Sequence, residues 1–593
     1  MALKMRIGKQ GKKLLFFGTI SILMLICCLS GEANIRYVFG SALYGDFGVN
    51  NGDIIFSRES GFYKNDFKLK LYAPTHEIYY TLDGSDPDKN AIKYIEPIFV
   101  EDASKHPNIY SMRTDVSAEF LTEEVKKYCG EKNIRNYTAP KENIDKCTVV
   151  KAAYYDNEGN LSDVQEHVYF VGFDEKDGYE DLGVISLVTD PKNLFDEERG
   201  IYVLGKTFRD FVESGALDSD SCWYKKYWQF WDANYRNKGR DWERESHIQV
   251  FDEDKELVLS QNVGIRIQGG GSRGFLPKSL NIYARNEYGD NKLRYDFWGT
   301  GYYPKRMTLT NGGDDYATKM DDRLVSELSE DCAFATMNYK PYVLFLNGEY
   351  WGFYYLAEKY DVQYIEEYYG VEKGTEIDNI IMIKNGNVEA GIETDLYTSY
   401  ADMMNAISGA DLTNETNYEI ICQMIDIDSF IDYFAVMGYI SRWGDWPDSN
   451  VALWRSRNVS EKPYEDGRWR WMLFDVNSTA METGLVDLDC IATMRESSEL
   501  FDNLCTNPSF RQAFAKRLLE LADTVFLKEN VNQKIDEYVE LMEKPMEKHF
   551  QRFFGTFNEK FHEGVGELRY FFNHRREYVL KSIETNFQEV DIS

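Results

Sequence analysis

Paired metal-ligand motifs are missing from this sequence. Its seven histidines are scattered, with no His-x-x-x-His or His-Glu-x-x-His pair, and its nine cysteines include no Cys-x-x-Cys. Neither a zinc site nor a disulfide framework is signalled. Cys129 and Cys147 are near enough in sequence for one local bridge, and free buried thiols are the alternative. Basic charge is short as well. The 67 Lys and Arg stand against 99 Asp and Glu, and the formal charge of −32 repels a phosphate backbone, which excludes nonspecific nucleic-acid binding. A chain this acidic that held a nucleotide would need local Lys or Arg and a divalent cation. No internal repeat or low-complexity tract is visible.

What is present points to a folded protein of several parts. At 593 residues the chain exceeds what one core usually organises, and 43 % hydrophobic with 15 % aromatic residues supplies ordinary cores. Lys4, Arg6, Lys9, Lys12 and Lys13 precede an apolar run from Leu14 to Leu29, the pattern of an export signal. The run is short for a membrane span, so residues 1–33 are expected to be a cleaved signal, with an uncleaved anchor as the alternative and the only route to a membrane. Residues 53–172 read as β-rich: Phe67, Leu69 and Leu71 alternate with polar neighbours, and Ile78 to Thr81 are closed by the turn pair Asp83-Gly84. A small β-sandwich is the expected outcome. The charged segment Asp174 to Gly178 reads as an exposed link, open to proteases. Strands and helices then alternate from 181 to about 485, and 486–593 is almost wholly helical.

Three segments carry chemistry. Gly264 to Ile267 is a strand that enters the glycine-rich stretch Gln268-Gly269-Gly270-Gly271-Ser272-Arg273, and Lys278 opens the strand that leaves it. Glycines let backbone N–H groups approach phosphate oxygens, and a Lys on the following strand can pair with them. In Asp445-Trp446-Pro447-Asp448-Ser449-Asn450 an Asp precedes an Asn by five positions, the spacing that in protein kinases sets a catalytic Asp beside the acceptor hydroxyl and an Asn on a metal ion. Arg468 to Asp475 reads as a strand that ends in an Asp, suited to bridging metal and nucleotide phosphates.

The order of these segments resembles the CotH kinase family. It is carried by Gly264-Ile265-Arg266 with Ser272-Arg273 and Lys278-Ser279, then Asn347-Gly348-Glu349-Tyr350-Trp351-Gly352 with Glu358-Lys359, then Asp445-Trp446-Pro447 with Asn450, then Phe474-Asp475. Glu77 to Pro87, with Val150 to Ala153 and Ser162, resembles the chitobiase/β-hexosaminidase C-terminal domain, which implies an accessory module. Together they imply an α+β chain: an atypical protein-kinase-like domain over 181–485, preceded by the small all-β sandwich and followed by a helical region packed on it. The resemblance implies ATP with Mg²⁺ or Mn²⁺ as cofactors and a protein acceptor. Carried over, Asp445 is the catalytic Asp, Asp475 a metal ligand and Asn450 a second metal or phosphate contact. Arg266, Ser272, Arg273 and Lys278 bind the nucleotide, and Glu358 orients Lys278. The family often has a second Asp where this sequence has Asn477, a departure that weakens the metal site.

Two further classes stay open. Export favours a noncatalytic surface or matrix protein, because ATP is scarce outside cells, and a surface polysaccharide is its natural partner. A glycoside hydrolase would need two carboxylates facing each other across a cleft, which linear sequence does not display. Either class shares the expected location, secreted or at the cell surface.

Overall fold

The computed structural model describes residues 54–590 apart from 74–75, 131–133, 373, 375–378, 443–445, 448, 478–480 and 482–484. The export segment and Asp445 therefore lie outside the described residues. The chain is mixed α and β, β-rich toward its N-terminus and helical toward its C-terminus. Among the described residues no helix is long and apolar enough to cross a membrane.

The N-terminal module is built on five strands: β1 (Gly61–Tyr63), β2 (Ile78–Thr81), β3 (Ile92–Lys93), β4 (Thr148–Tyr154) and β5 (Gln165–Val171), in the order β1-β5-β4-β2-β3. Two short two-stranded sheets complete it. The described residues of 101–147, expected to continue a sandwich, form no sheet of their own: they carry the helix Thr122–Cys129 and several single turns. Val116, Ala118, Val125 and Tyr137 from this stretch enter the core of the following domain.

Next comes a closed barrel of seven strands: β6 (Gly183–Val188), β7 (Arg244–Phe251), β8 (Leu257–Ile267), β9 (Leu280–Tyr283), β10 (Arg306–Thr310), β11 (Tyr339–Leu346) and β12 (Glu349–Ala357). The order around it is β6-β7-β8-β9-β10-β12-β11, and the one parallel pairing, β6 with β11, closes it. All six residues of β6 and all nine of β12 are buried, so both strands are covered on both faces. Asn347 and Gly348 both adopt left-handed φ, 47° and 85°, the geometry that a two-residue hairpin needs between β11 and β12.

A four-stranded sheet follows, from β13 (Ile380–Lys384), β14 (Asn387–Ala390), β15 (Ala452–Ser456) and β16 (Arg470–Met472), in the order β14-β13-β15-β16. Around these sheets pack α1 (Asp321–Leu328), α2 (Ile427–Tyr439), α3 (Pro508–Asp523), α4 (Lys528–Phe554) and α5 (Glu559–Asn586). Helix α4 lies on β12 at Gly352, where a Cβ would come within 2.9 Å of both His549 and Phe553; only glycine fits. His549 Nδ1 accepts the Phe353 N–H at 3.2 Å, and burial holds this ring well below the usual histidine range.

One continuous core reaches from Val116 to Phe587 and takes in Val149, Phe170 and Phe173 of the β-rich module. Segment 174–178, expected to be an exposed link, runs beside this core and is anchored at one cation. Lys176 Nζ donates to Asp145 and to Ser104, each at 2.9 Å, and Phe173 and Tyr179 on either side are buried. Asp174, Glu175 and Asp177 stay exposed, as the composition suggests. The Cys129 and Cys147 thiols are free, as are the other five described cysteines.

Candidate active site

A cleft of about 130 Å³ lies between the barrel and the four-stranded sheet. One wall is the glycine-rich turn after β8, where Gln268, Gly269, Gly270 and Ser272 face the space. Gly269 has φ 113°, and a Cβ there would fall 2.2 Å from Ser272 Oγ. Arg273 holds this turn from behind: its Nε donates to Gly269 O at 2.8 Å, and one Nη donates to Tyr235 O and Asn237 O at 3.1 Å. Lys278 braces it in turn. Its ammonium donates to Arg273 O at 2.6 Å and sits 3.7 Å above the Tyr235 ring, fully buried, and burial holds it well below the usual lysine range. Arg266 stacks 4.2 Å from the Tyr283 ring centre and lies 3.6 Å from Glu243. Of the four predicted nucleotide contacts on this hairpin, Ser272 alone faces the cleft; Arg273 and Lys278 hold the loop in place, and Arg266 packs on Tyr283 beside Glu243.

The cations that do face the cleft are Lys359 and Lys384. Lys359 lies two residues beyond the end of β12, and its Nζ donates to Asn281 Oδ1 at 2.9 Å. Burial, with help from the charges of Lys384 and Arg306, brings it down to about 7. Lys384 ends β13 and lies 3.8 Å from the Phe474 ring centre; burial lowers it too. Glu358 lines the cleft without touching Lys278. It accepts the Asn338 N–H at 2.9 Å, the Asn338 side-chain amide at 3.0 Å and the Tyr368 hydroxyl at 2.5 Å, while burial raises its carboxyl to about 7.

Opposite stand two carboxylates. Asp475 follows β16 by three residues and takes a left-handed φ of 57°, which turns the chain into the cleft. Asp322, in the first turn of α1, accepts the Val476 N–H at 2.7 Å and the Asn477 amide at 3.1 Å. Loss of water, aided by the charge of Asp475, holds the Asp322 carboxyl well above the ordinary range. Sequence reading missed Asp322 because an Asp in a first helical turn is ordinary helix chemistry. Its position bears on Asn477: the Asn477 amide donates to Asp322 and ties α1 to Asp475's loop, so a second carboxylate stands beside position 477.

Hard oxygen donors of this kind suit Mg²⁺ or Mn²⁺ better than softer metals. Among the described residues no group of three His, Cys, Asp or Glu could hold a metal by itself. Mg²⁺ commonly takes only one or two carboxylates and completes its shell with phosphates and water, so the residues fit that use. Asn450, also left-handed at φ 55°, lies between α2 and β15 and does not line the cleft. Next to undescribed Asp445, Trp446 is buried against Phe434, its indole N–H donating to Tyr433 at 3.1 Å.

Residues 265–579, more than half of the chain, match the CotH kinase protein family. The chain belongs to the CotH kinase family. The matched CotH region begins within β8 just before the glycine-rich turn, contains both cleft lysines, both cleft aspartates and Glu358, and continues through the helices into α5. Residues 67–169 match the Fn3-associated family, which places a β-rich module before the CotH region. None of the curated proteins compared with the chain matches it. Membership supports a kinase-like phosphotransferase at the level of the family.

Proposed function

We propose that this protein is an exported atypical kinase that transfers the γ-phosphoryl group of ATP to a protein hydroxyl with Mg²⁺ or Mn²⁺. The observation that carries this reading is the convergence on one cleft of a glycine-rich turn, two lysines and the pair Asp322 and Asp475. In such a kinase-like arrangement the turn's backbone N–H groups and the two ammonium groups bind phosphate oxygens. Asp475 and Asp322 would hold the cation; Asn450, which lies outside the cleft lining, is left without a part in this reading. A bound divalent cation would neutralise charge on the transferred group. Asp445 orients or deprotonates the acceptor hydroxyl. Export is supported by the basic and apolar pattern of residues 4–29.

Incubation of the protein with γ-labelled ATP and Mg²⁺ or Mn²⁺ tests this reading. We expect label in the protein, a loss of transfer by roughly a hundredfold or more in Asp475→Asn together with weaker nucleotide binding, and in Asp445→Asn a comparable loss of transfer with binding retained. Unchanged ATP affinity in both variants, with equal small losses of stability, would overturn the assignment.

The cleft's size favours a second reading. Small-molecule sites usually hold about 300–1,000 Å³, so 130 Å³ admits phosphates and metal before it admits a whole nucleotide. Either the walls part when ATP enters, or the fold serves binding alone. Titration calorimetry with ATP and Mn²⁺ separates the two, because no heat of binding leaves only the noncatalytic reading.

A further inference from the structure

A second cavity, of about 410 Å³, opens between residues 140–145 of the N-terminal region and the last turns of α4. Three cations, Lys141, Lys548 and Arg552, line it with Thr556 and with two carboxylates, Glu142 and Asp145. Lys548 is neutralised, since its Nζ donates to Asp145 Oδ2 at 2.7 Å. Arg552 is not. This side chain is only 6 % exposed, and its guanidinium carbon lies 4.5 Å from the Phe553 ring centre and 5.2 Å from that of Trp351. Stacking of this kind engages the ring faces and leaves the guanidinium's in-plane N–H donors without acceptors.

Nε of Arg552 is sealed from solvent with no acceptor, and among the described residues no carboxylate forms an ion pair with this guanidinium. Glu349, whose charge acts most strongly on Arg552, instead accepts the N–H groups of Ile109 at 2.6 Å and Ser111 at 2.7 Å. Burial lowers Arg552 to about 10, so it stays charged at neutral pH. Leaving a buried cation unanswered is costly. In a chain with 99 acidic residues against 67 basic ones, the missing partner is not explained by a shortage of acids. The end of α4 offers partial negative charge, which falls well short of a full counter-ion.

We propose that this cavity binds a phosphate-class oxyanion, with Arg552 as the principal donor and Lys141 and Thr556 completing the site. Guanidinium donors match tetrahedral oxyanions in paired geometry, and the volume has room for more than one phosphate group, so a phosphomonoester attached to a carrier fits as well as the free ion.

The experiment is titration calorimetry on the full chain with inorganic phosphate and, separately, with O-phosphoserine, using wild type, Arg552→Met and Lys359→Met. Wild type should bind phosphate in this cavity, Lys359→Met, which alters only the cleft, should keep that affinity, and Arg552→Met should lose it at least about tenfold. Tighter phosphoserine identifies a phosphorylated protein as the natural source, and tighter phosphate identifies the free ion. Equal affinity in wild type and Arg552→Met overturns the proposal, as does no binding in wild type or a loss confined to Lys359→Met, which would put the anion in the cleft. Should Arg552→Met fail to fold, Lys141→Met with Thr556→Val alters only the wall. Several-fold weaker phosphate binding then supports the site, and unchanged binding overturns it.

Discussion

Two lysines at the ends of barrel strands meet opposite fates. Lys278 lies just before β9 and points inward, its charge consumed by Arg273 O and the Tyr235 ring. Lys359 lies just after β12 and points into the cleft, where Asn281 holds it. By sequence Lys278 has the better credentials, because it follows a glycine-rich turn on the next strand. A strand's residues alternate in direction, however, and which side faces a ligand depends on how the barrel closes. The comparison teaches that a motif can place a lysine near a site and still commit it to holding the backbone.

The sharpest way to break this comparison is to exchange each lysine for Met. Lys359→Met should weaken binding of ATP with Mg²⁺ or Mn²⁺ by roughly tenfold to a hundredfold, the worth of a charged hydrogen bond to phosphate. Lys278→Met should leave nucleotide affinity within about twofold and lower stability by about 1–3 kcal/mol, since Arg273 O loses its donor. Calorimetry and chemical denaturation read the two effects separately. The opposite pattern would return Lys278 to the nucleotide.

A finer test uses the proton on Lys359. Burial brings this ammonium down to about 7, and an approaching phosphate favours its charged form. Nucleotide binding at pH 8 should therefore take up as much as about one proton, less at pH 6 where Lys359 already carries it. The uptake appears as a dependence of the binding enthalpy on the buffer's ionisation enthalpy. It should vanish in Lys359→Met and persist in Lys278→Met; uptake that survives in the former would assign the proton elsewhere.

The smallest effect concerns Glu358, beside Lys359. Its carboxyl is raised by burial from near 4.5 to about 7, so between those pH values the folded protein binds more protons than the unfolded chain. Stability from this group is present at low pH and declines as pH rises through about 7. Relative to wild type, Glu358→Gln should gain about 1–2 kcal/mol on going from pH 5 to pH 8. A parallel pair of stability-against-pH curves would mean that Glu358 is ionised throughout.

Single elements of the barrel region are legible; its closure is not. Asn347-Gly348 between two apolar runs has the pattern of the β11–β12 hairpin, and Asp321 to Leu328 has the spacing of a helix, α1. Gly269, Ser272 and Asp475 were found as cleft residues because glycine turns and a carboxylate beyond a strand are local signals. Asp322, Lys384 and Lys359 were not singled out for these positions. Their sequence neighbourhoods are ordinary, and they are brought together only when α1, β13 and β12 pack around one space. Arg552 was invisible for a related reason: a basic residue near a helix end is common, and only burial without an acid makes it unusual.

By itself the sequence determined the order of parts, the family and the residue types that chemistry would need, because these follow from short-range patterns and turn residues. Tertiary structure alone decided that the β-rich module and the barrel share one core, that Asp322 comes to lie beside Asn477 and Asp475, and that Lys359 rather than Lys278 faces the cleft. Each of those outcomes depends on which face of an element is buried, and burial is settled only by elements distant in the chain.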